Sequence, residues 1–135
     1  MGIRIAICLG MLTLASVASA AEPASSSAVL EHHFASIGKG DLDAILADYA
    51  DDAFLITGRG VVKGKSAIRA VYARMTKDGT AGVQVKVVAS FSEGEVAHAV
   101  WTQDAGAQKS AATLVVKGGK IVSQVVVQGL QPDKQ

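Results

Sequence analysis

The sequence predicts an α+β domain, three helices followed by a curved antiparallel sheet made of a four-stranded meander plus a short hairpin. Three observations carry that expectation. Up to Met75, apolar residues recur at helical spacing in three segments separated by Gly and Asp. From Val83 the period changes to alternation, in the four segments VQVKVVASF, EVAHAVWTQ, KSAATLVVK and KIVSQVVVQ. The breaks between these segments (Ser92–Gly94, Asp104–Gln108 and Gly118-Gly119) are too short for parallel crossovers of a dozen residues, so they are hairpins.

Ser25–Ser27 can cap a first helix running to about Ile37, with Leu30, Phe34 and Ile37 on one stripe. Gly38-Lys39-Gly40 ends it. Asp41 then caps a second helix, DLDAILADYA, whose Leu42, Ile45, Leu46 and Tyr49 form one face. Ala53–Thr57 is a short β-type run, followed by a turn at Gly58 and Gly60 and by Val61 and Val62. Ser66 starts a third helix through about Met75, burying Ile68, Val71, Tyr72 and Met75.

Alternation assigns the strand faces. Val83, Val85, Val87, Ala89 and Phe91 share one side of the first long strand, and Gln84, Lys86, Val88 and Ser90 the other. On the second, Val96, His98, Val100 and Thr102 oppose Ala97, Ala99, Trp101 and Gln103. The last strand is apolar on both sides, with Ile121, Val125 and Val127 against Val122 and Val126. One face covers the helices. The other still carries Val88, Val122, Val126 and Trp101 or Val115, an apolar surface that points to a homodimer through the outer sheet face.

Residues 1–20 read as a signal peptide: Arg4, an apolar run from Ile5 to Val17, and Ala18-Ser19-Ala20 as a cleavage site. The run is too short for a membrane span, so no membrane association is expected of the mature form. Residues 21–28 read as a flexible leader, 29–130 as the domain and 131–135 as a tail. The expected location is periplasmic or secreted. The one cysteine, Cys8, leaves with the signal segment, so core packing alone must hold the mature chain of about 115 residues.

Charge excludes a partner class. The chain has 13 Lys and Arg against 12 Asp and Glu, and loss of Arg4 balances them. With the signs interspersed and few aromatic residues, nucleic-acid binding has no electrostatic footprint. GRGVVKGKS, Gly58 to Ser66, approaches a phosphate-binding loop. That motif needs a glycine where Arg59 stands, and it works only between a parallel strand and its helix. Gly58 and Gly60 are turn residues, and Gly64 bends the chain into a helix.

His33 lies on the apolar stripe of the first helix, where a buried imidazole needs a partner and can be tuned as an acid or base. His32 falls off that stripe and is expected in solvent. His98 faces whatever Val96 and Val100 face; on the helix side it would approach His33. Two histidines without a carboxylate third ligand do not make a metal site, and no metal or cofactor is expected. Asp51 and Asp52 have a capping and loop role, Arg59 and Arg69 are solvated or ion-paired, and no serine sits in a strand–elbow–helix context.

Gly40-Asp41-Leu42-Asp43, Tyr49-Ala50-Asp51-Asp52-Ala53 and Gly64-Lys65-Ser66-Ala67-Ile68-Arg69 leading to Tyr72 resemble the nuclear transport factor 2-like superfamily, in its SnoaL-like or ketosteroid-isomerase-like branch. The resemblance covers Val29 to about Leu130. It implies a cone-shaped sheet packed on the three helices, a deep pocket between them, and often a dimer through the outer sheet face. It also implies where an isomerase would keep its catalytic groups. His33 stands at the tyrosine oxyanion donor, Thr57 at the carboxylate base, and Ala111 or Ala112 near the second carboxyl donor. A hydroxyl cannot shuttle the proton as a carboxylate does and alanine donates nothing, so the steroid-isomerase mechanism is absent.

Three functions remain open. In the first, a small, largely apolar molecule binds without turnover in a pocket lined by His33, Tyr49, Phe54, Ile56, Thr57, Tyr72, His98 and Val100. In the second, His33 is the general acid–base of an isomerase, dehydratase or cyclase. In the third, side chains fill the cone and the sheet face is the working surface of an interaction module.

Overall fold

The computed structural model describes residues 21–75, 85–103 and 108–130. In chain order the elements are α1 (Ser26–Lys39), α2 (Leu42–Ala47), β1 (Tyr49–Thr57), β2 (Gly60–Lys63), α3 (Lys65–Met75), β3 (Lys86–Glu93), β4 (Val96–Gln103), β5 (Gln108–Lys117) and β6 (Lys120–Leu130). Three helices pack on a six-stranded, curved and unclosed sheet of order β2-β1-β6-β5-β4-β3. The expected signal peptide, the tail, Val83-Gln84 and Asp104–Ala107 lie outside the described residues. No described helix is long and apolar enough to cross a membrane.

Local chemistry sets the helix ends. Ser25 caps α1 by accepting from the Ala28 N–H at 3.2 Å, so Ser26–Ala28 are helical and the expected leader of 21–28 is shorter by those residues. Gly40, at φ 65°, closes the helix by donating to the Ile37 carbonyl. Asp41 caps α2 through the Ala44 N–H at 3.0 Å, but α2 stops at Ala47. The chain leaves the helix at Asp48, whose carbonyl accepts the Ile121 N–H at 2.7 Å and ties the following residue to the sheet. Tyr49, expected on the helix, is therefore the first residue of β1.

β1 is also longer than the expected Ala53–Thr57 run. Its register against β6 slips between Tyr49 and Phe54, and Asp51 and Asp52 stand exposed in that bulge instead of at a helix end. The β1–β2 hairpin turns at Gly58 and Arg59, as expected. The meander β3-β4-β5-β6 is antiparallel, but β1 pairs with β6 in parallel. The sheet is thus not wholly antiparallel. The connection from β1 to β6 runs through α3 and four strands, which satisfies the length a parallel pair requires.

The inner face of the sheet carries Ala97, Ala99 and Trp101 on β4, Ser110, Ala112, Leu114 and Val116 on β5, and Ile121 and Gln124 on β6, all buried. The three alanines let α1 approach closely, and Ile45, Ile68, Leu114 and Ile121 close the core with at most 1% exposure. His98 and Val100 alternate with those alanines and face outward. Trp101 and Val126, expected among the outward residues, point inward. Trp101 stands at an angle to Phe34 with ring centroids 5.1 Å apart, and Val126 packs on the core. Register shifts at Val87/Ala89 and at Val115/Val116 change the alternation within β3 and β6, which moves side chains between faces.

The chain just before α1 lies against the β5–β6 turn. A Cβ on Gly119 would meet the Ala24 nitrogen at 3.1 Å, and Gly119 has φ +75°. Gly118 is also left-handed, at φ +56°, but nothing lies within 4 Å of its added Cβ. We expect Gly118→Ala to cost about 1 kcal/mol from left-handed strain alone. Gly119→Ala should cost more, because it adds a backbone clash. Urea denaturation checks this as a larger fall in the midpoint for Gly119→Ala, with m unchanged.

Candidate functional site

The polar groups that the fold buries converge on one place. His33 comes from α1, Asp48 from the end of α2, Tyr49 from β1, Tyr72 from α3 and Gln124 from β6. His33 and Tyr49 are 0% exposed and Tyr72 5%. His33 Nε2 lies 3.2 Å from the Tyr72 hydroxyl, and the Tyr72 and Tyr49 hydroxyls are 2.9 Å apart. The Tyr49 hydroxyl donates to Gln124 Oε1. These links need three protons, and two hydroxyls supply two. With Gln124 accepting at its end, the third comes from His33, so Nε2 carries a proton and donates to Tyr72. The order of donors places a proton on Nε2.

The other ring nitrogen, His33 Nδ1, faces Asp48. It lies 3.5 Å from Oδ2 and makes no hydrogen bond, so this is an electrostatic contact only. His32 holds the same carboxylate from the solvent side, its Nδ1 at 2.8 and 3.0 Å from the two oxygens. Burial acts to raise the Asp48 pKa. The contact with His33 and the hydrogen bonds from His32 outweigh it and hold the carboxyl below its ordinary 3.8. Tyr72 is pushed up to about 12, mainly by burial and despite its bond to Tyr49. Tyr49 is raised well above 10 by burial and by Tyr72. At neutral pH both tyrosines are neutral donors.

Of the residues expected to line a pocket, the structure brings His33, Tyr49 and Tyr72 together. Their rings pack edge-on or tilted at centroid distances of 5.4 to 6.2 Å and occupy the space between them. The others are elsewhere. Phe54 is 39% exposed under the Lys63 ammonium, and Ile56 shares its side of β1 because Ala53 and Leu55 take the inward positions. Thr57 accepts from the Arg59 N–H at 3.2 Å in the hairpin turn. His98 bonds Thr113 at 2.9 Å on the outer face, with Val100 beside it, so His33 and His98 do not meet. Ala112 is buried on the inner face, and Ala111 faces out.

Three members of the cluster escaped the sequence reading: Asp48, His32 as its partner, and Gln124. Gln124 did leave a signal, since it is an amide within the apolar run IVSQVVV. An open cavity of about 540 Å³ lies apart from the cluster, between α2, β1 and α3. Lys65 there pairs with Asp51 at 3.7 Å and Arg69 with Asp43 at 2.8 Å. The strand before α3 is β2, antiparallel to β1, so the Gly64-Lys65-Ser66 bend lacks the parallel strand a phosphate loop needs. Among the described residues no group of three or more His, Cys, Asp or Glu is placed to hold a metal ion.

Two outcomes follow from this arrangement. Tyr49→Phe leaves Gln124 Oε1 buried without its donor and should cost about 1–3 kcal/mol. Adding Gln124→Leu should recover part of that loss, a coupling that a double-mutant cycle reads directly. The second outcome concerns pH. Asp48 has a lowered pKa in the folded state, so its contribution is fully present above the ordinary carboxylate value of 3.8 and is lost as pH falls through the folded value. The stability gap between wild type and Asp48→Asn should be constant from pH 7 to about 5 and should shrink below pH 3.8 in acid titrations followed by circular dichroism.

With this geometry in hand, comparison with known proteins is informative about fold. Curated proteins give no match. Among solved structures, a SnoaL-like protein of Burkholderia thailandensis superposes with a TM-score of 0.67 at 15% identity, over 76% of this chain and 93% of that one. A candidate ketosteroid isomerase of Kribbella flavida gives 0.67 at 12% identity, over 82% of each chain. A candidate polyketide cyclase of Sinorhizobium meliloti gives 0.64 at 19%, over 73% and 92%. At such identities the likeness is one of fold. The family model of the SnoaL-like domain matches residues 30–124, from the buried stripe of α1 to the glutamine that ends the polar chain, and the chain belongs to that family, within the nuclear transport factor 2-like superfamily.

Proposed function

We propose that this SnoaL-like domain is a non-catalytic interaction module whose working surface is the outer face of its sheet and whose first partner is a second copy of the same chain. The observation that carries the reading is the filled cone. The three side chains best placed to line a pocket, His33, Tyr49 and Tyr72, are at most 5% exposed and bond to one another instead of presenting free groups to a ligand. A small apolar molecule bound between helices and sheet would have to displace them and break three hydrogen bonds.

The outer face offers the opposite. Phe91 is 67% exposed, Val127 48%, Val96 43% and Val125 39%, and Val100 and Val115 lie half-buried among them. A contiguous apolar sheet face of this kind is usual where a subunit docks. We further propose that the module works in the periplasm or outside the cell after loss of residues 1–20, on the strength of the apolar N-terminal run and its Ala-Ser-Ala site.

A second reading rests on the Asp48–His33–Tyr72 chain and keeps His33 as a general acid–base. It requires substrate to reach a ring that is 0% exposed. Sedimentation velocity on residues 21–135 tests the module. Wild type should run as a dimer at micromolar concentration. Val127→Lys should run as a folded monomer, because a charge at a desolvated contact opposes docking. A wild-type monomer at all concentrations would sink the proposal.

A further inference from the structure

Cross-strand register lays out what a second copy would meet. Phe91, His98, Thr113 and Val125 align in one row across β3, β4, β5 and β6. The row on one side is Ala89, Val100, Ala111 and Val127; on the other it is Glu93, Val96, Val115 and Ser123. Lys86, Thr102 and Lys109 form the row beyond Val100. The face is therefore apolar in the middle, with Lys86 and Lys109 at one end and Glu93 on β3 with Lys117 on β5 at the other. A two-fold axis lying between two such faces and perpendicular to the strands sets Glu93 of each copy over the Lys86 end of its partner's β3. This self-complementarity favours a second copy of the chain over an uncharged apolar partner. Four strands about 4.8 Å apart, each of about seven residues rising 3.3 Å, give roughly 450 Å² of projected face. Side-chain relief brings that towards the roughly 800 Å² per partner of a standard interface.

His98 is the polar exception at the centre. Its Nδ1 lies 2.9 Å from Thr113 Oγ1, its other nearest neighbours on the face are Phe91, Val96 and Val100, and Glu93 stands diagonally one row away on β3. The titratable groups of the face are Lys86 and Glu93 on β3 and Lys109 and Lys117 on β5, all towards its ends, and the helices pack on the opposite side of the sheet. A neutral imidazole bonded to threonine can be desolvated in such a place. An imidazolium there makes no ion pair among the described residues and loses its hydration on docking.

We infer that His98 gates self-association: the dimer forms on the neutral ring, and acid opens it. The inference rests on the proposed use of the outer face, and it adds the control of that face. Histidine is the side chain that ordinarily changes charge between pH 5 and 8, so the gate acts across a range that a secreted protein meets.

Sedimentation velocity of residues 21–135 at pH 7.5 and 5.0, at one ionic strength and over a concentration series, tests it. Wild type should be dimeric at pH 7.5 and at least tenfold weaker in dimer affinity at pH 5.0, with its far-ultraviolet circular dichroism unchanged. His98→Gln should hold one affinity at both pH values. His98→Leu, which removes the titrating ring in favour of apolar contact, should do the same and stands in if the glutamine variant folds poorly. A wild-type dimer equally tight at pH 5.0 overturns the gate and leaves the use of the face intact. Equal loosening in wild type and both variants also overturns the gate. A wild-type monomer at pH 7.5 overturns the proposed function, and the gate with it.

Discussion

A chain of polar contacts running from Asp48 through His33, Tyr72 and Tyr49 to Gln124 joins five elements that are far apart in sequence. Each member comes from a different helix, helix end or strand, so no two elements can shift without stretching a link. A buried hydroxyl or amide without its partner costs about 1–3 kcal/mol, which makes the correct stacking of α1 and α3 on the sheet distinct from near alternatives of similar apolar burial. The apolar core around Ile45, Ile68, Leu114 and Ile121 supplies most of the driving force. The polar chain sets the registry in which that core closes.

The same chain fills space between helices and sheet among the described residues. A superfamily fold that can hold a cavity between helices and sheet here spends that space on three aromatic or imidazole rings held edge-on or tilted at 5.4 to 6.2 Å. Alanine at positions 97, 99 and 112 brings α1 close to the sheet, and the tyrosine and histidine rings fill what remains. His33 Nε2, the Tyr72 and Tyr49 hydroxyls and Gln124 Oε1 satisfy one another inside, while His32 and the sheet's outer face meet solvent. Function in this fold is set by which side chains occupy the cone, and here they are satisfied by neighbours within the chain.

Small irregularities decide which residues reach that outer face. The bulge in β1 at Asp51 and Asp52 lets Tyr49 sit in the core while Ala53 and Leu55 also point inward. The shifts at Val87/Ala89 and near Val122 change the alternation of β3 and β6, so Phe91 and Val125 stand outside. The result is an apolar surface centred on a single histidine–threonine pair.

Much of this was legible in the sequence. Helical spacing gave α1 and α3, capping residues gave the starts of α1 and α2, and alternation between tight breaks gave the meander, because these signals depend on neighbours within a few residues. His33 was readable as buried for the same reason, since it lies on the stripe of Leu30 and Ile37. What alternation could not supply was an absolute face. Without knowing that Ala97 and Ala99 admit α1, the outward valines look like the core and His98 looks like a partner for His33. Nor could it place Asp48, Tyr72 and Gln124 together, since their pairing spans up to 76 positions and depends on β1 lying parallel to β6. Local periodicity determined the elements; the tertiary structure alone decided which face turned inward and which polar groups met there, because bulges and long-range pairing act across distances that a short repeat does not encode.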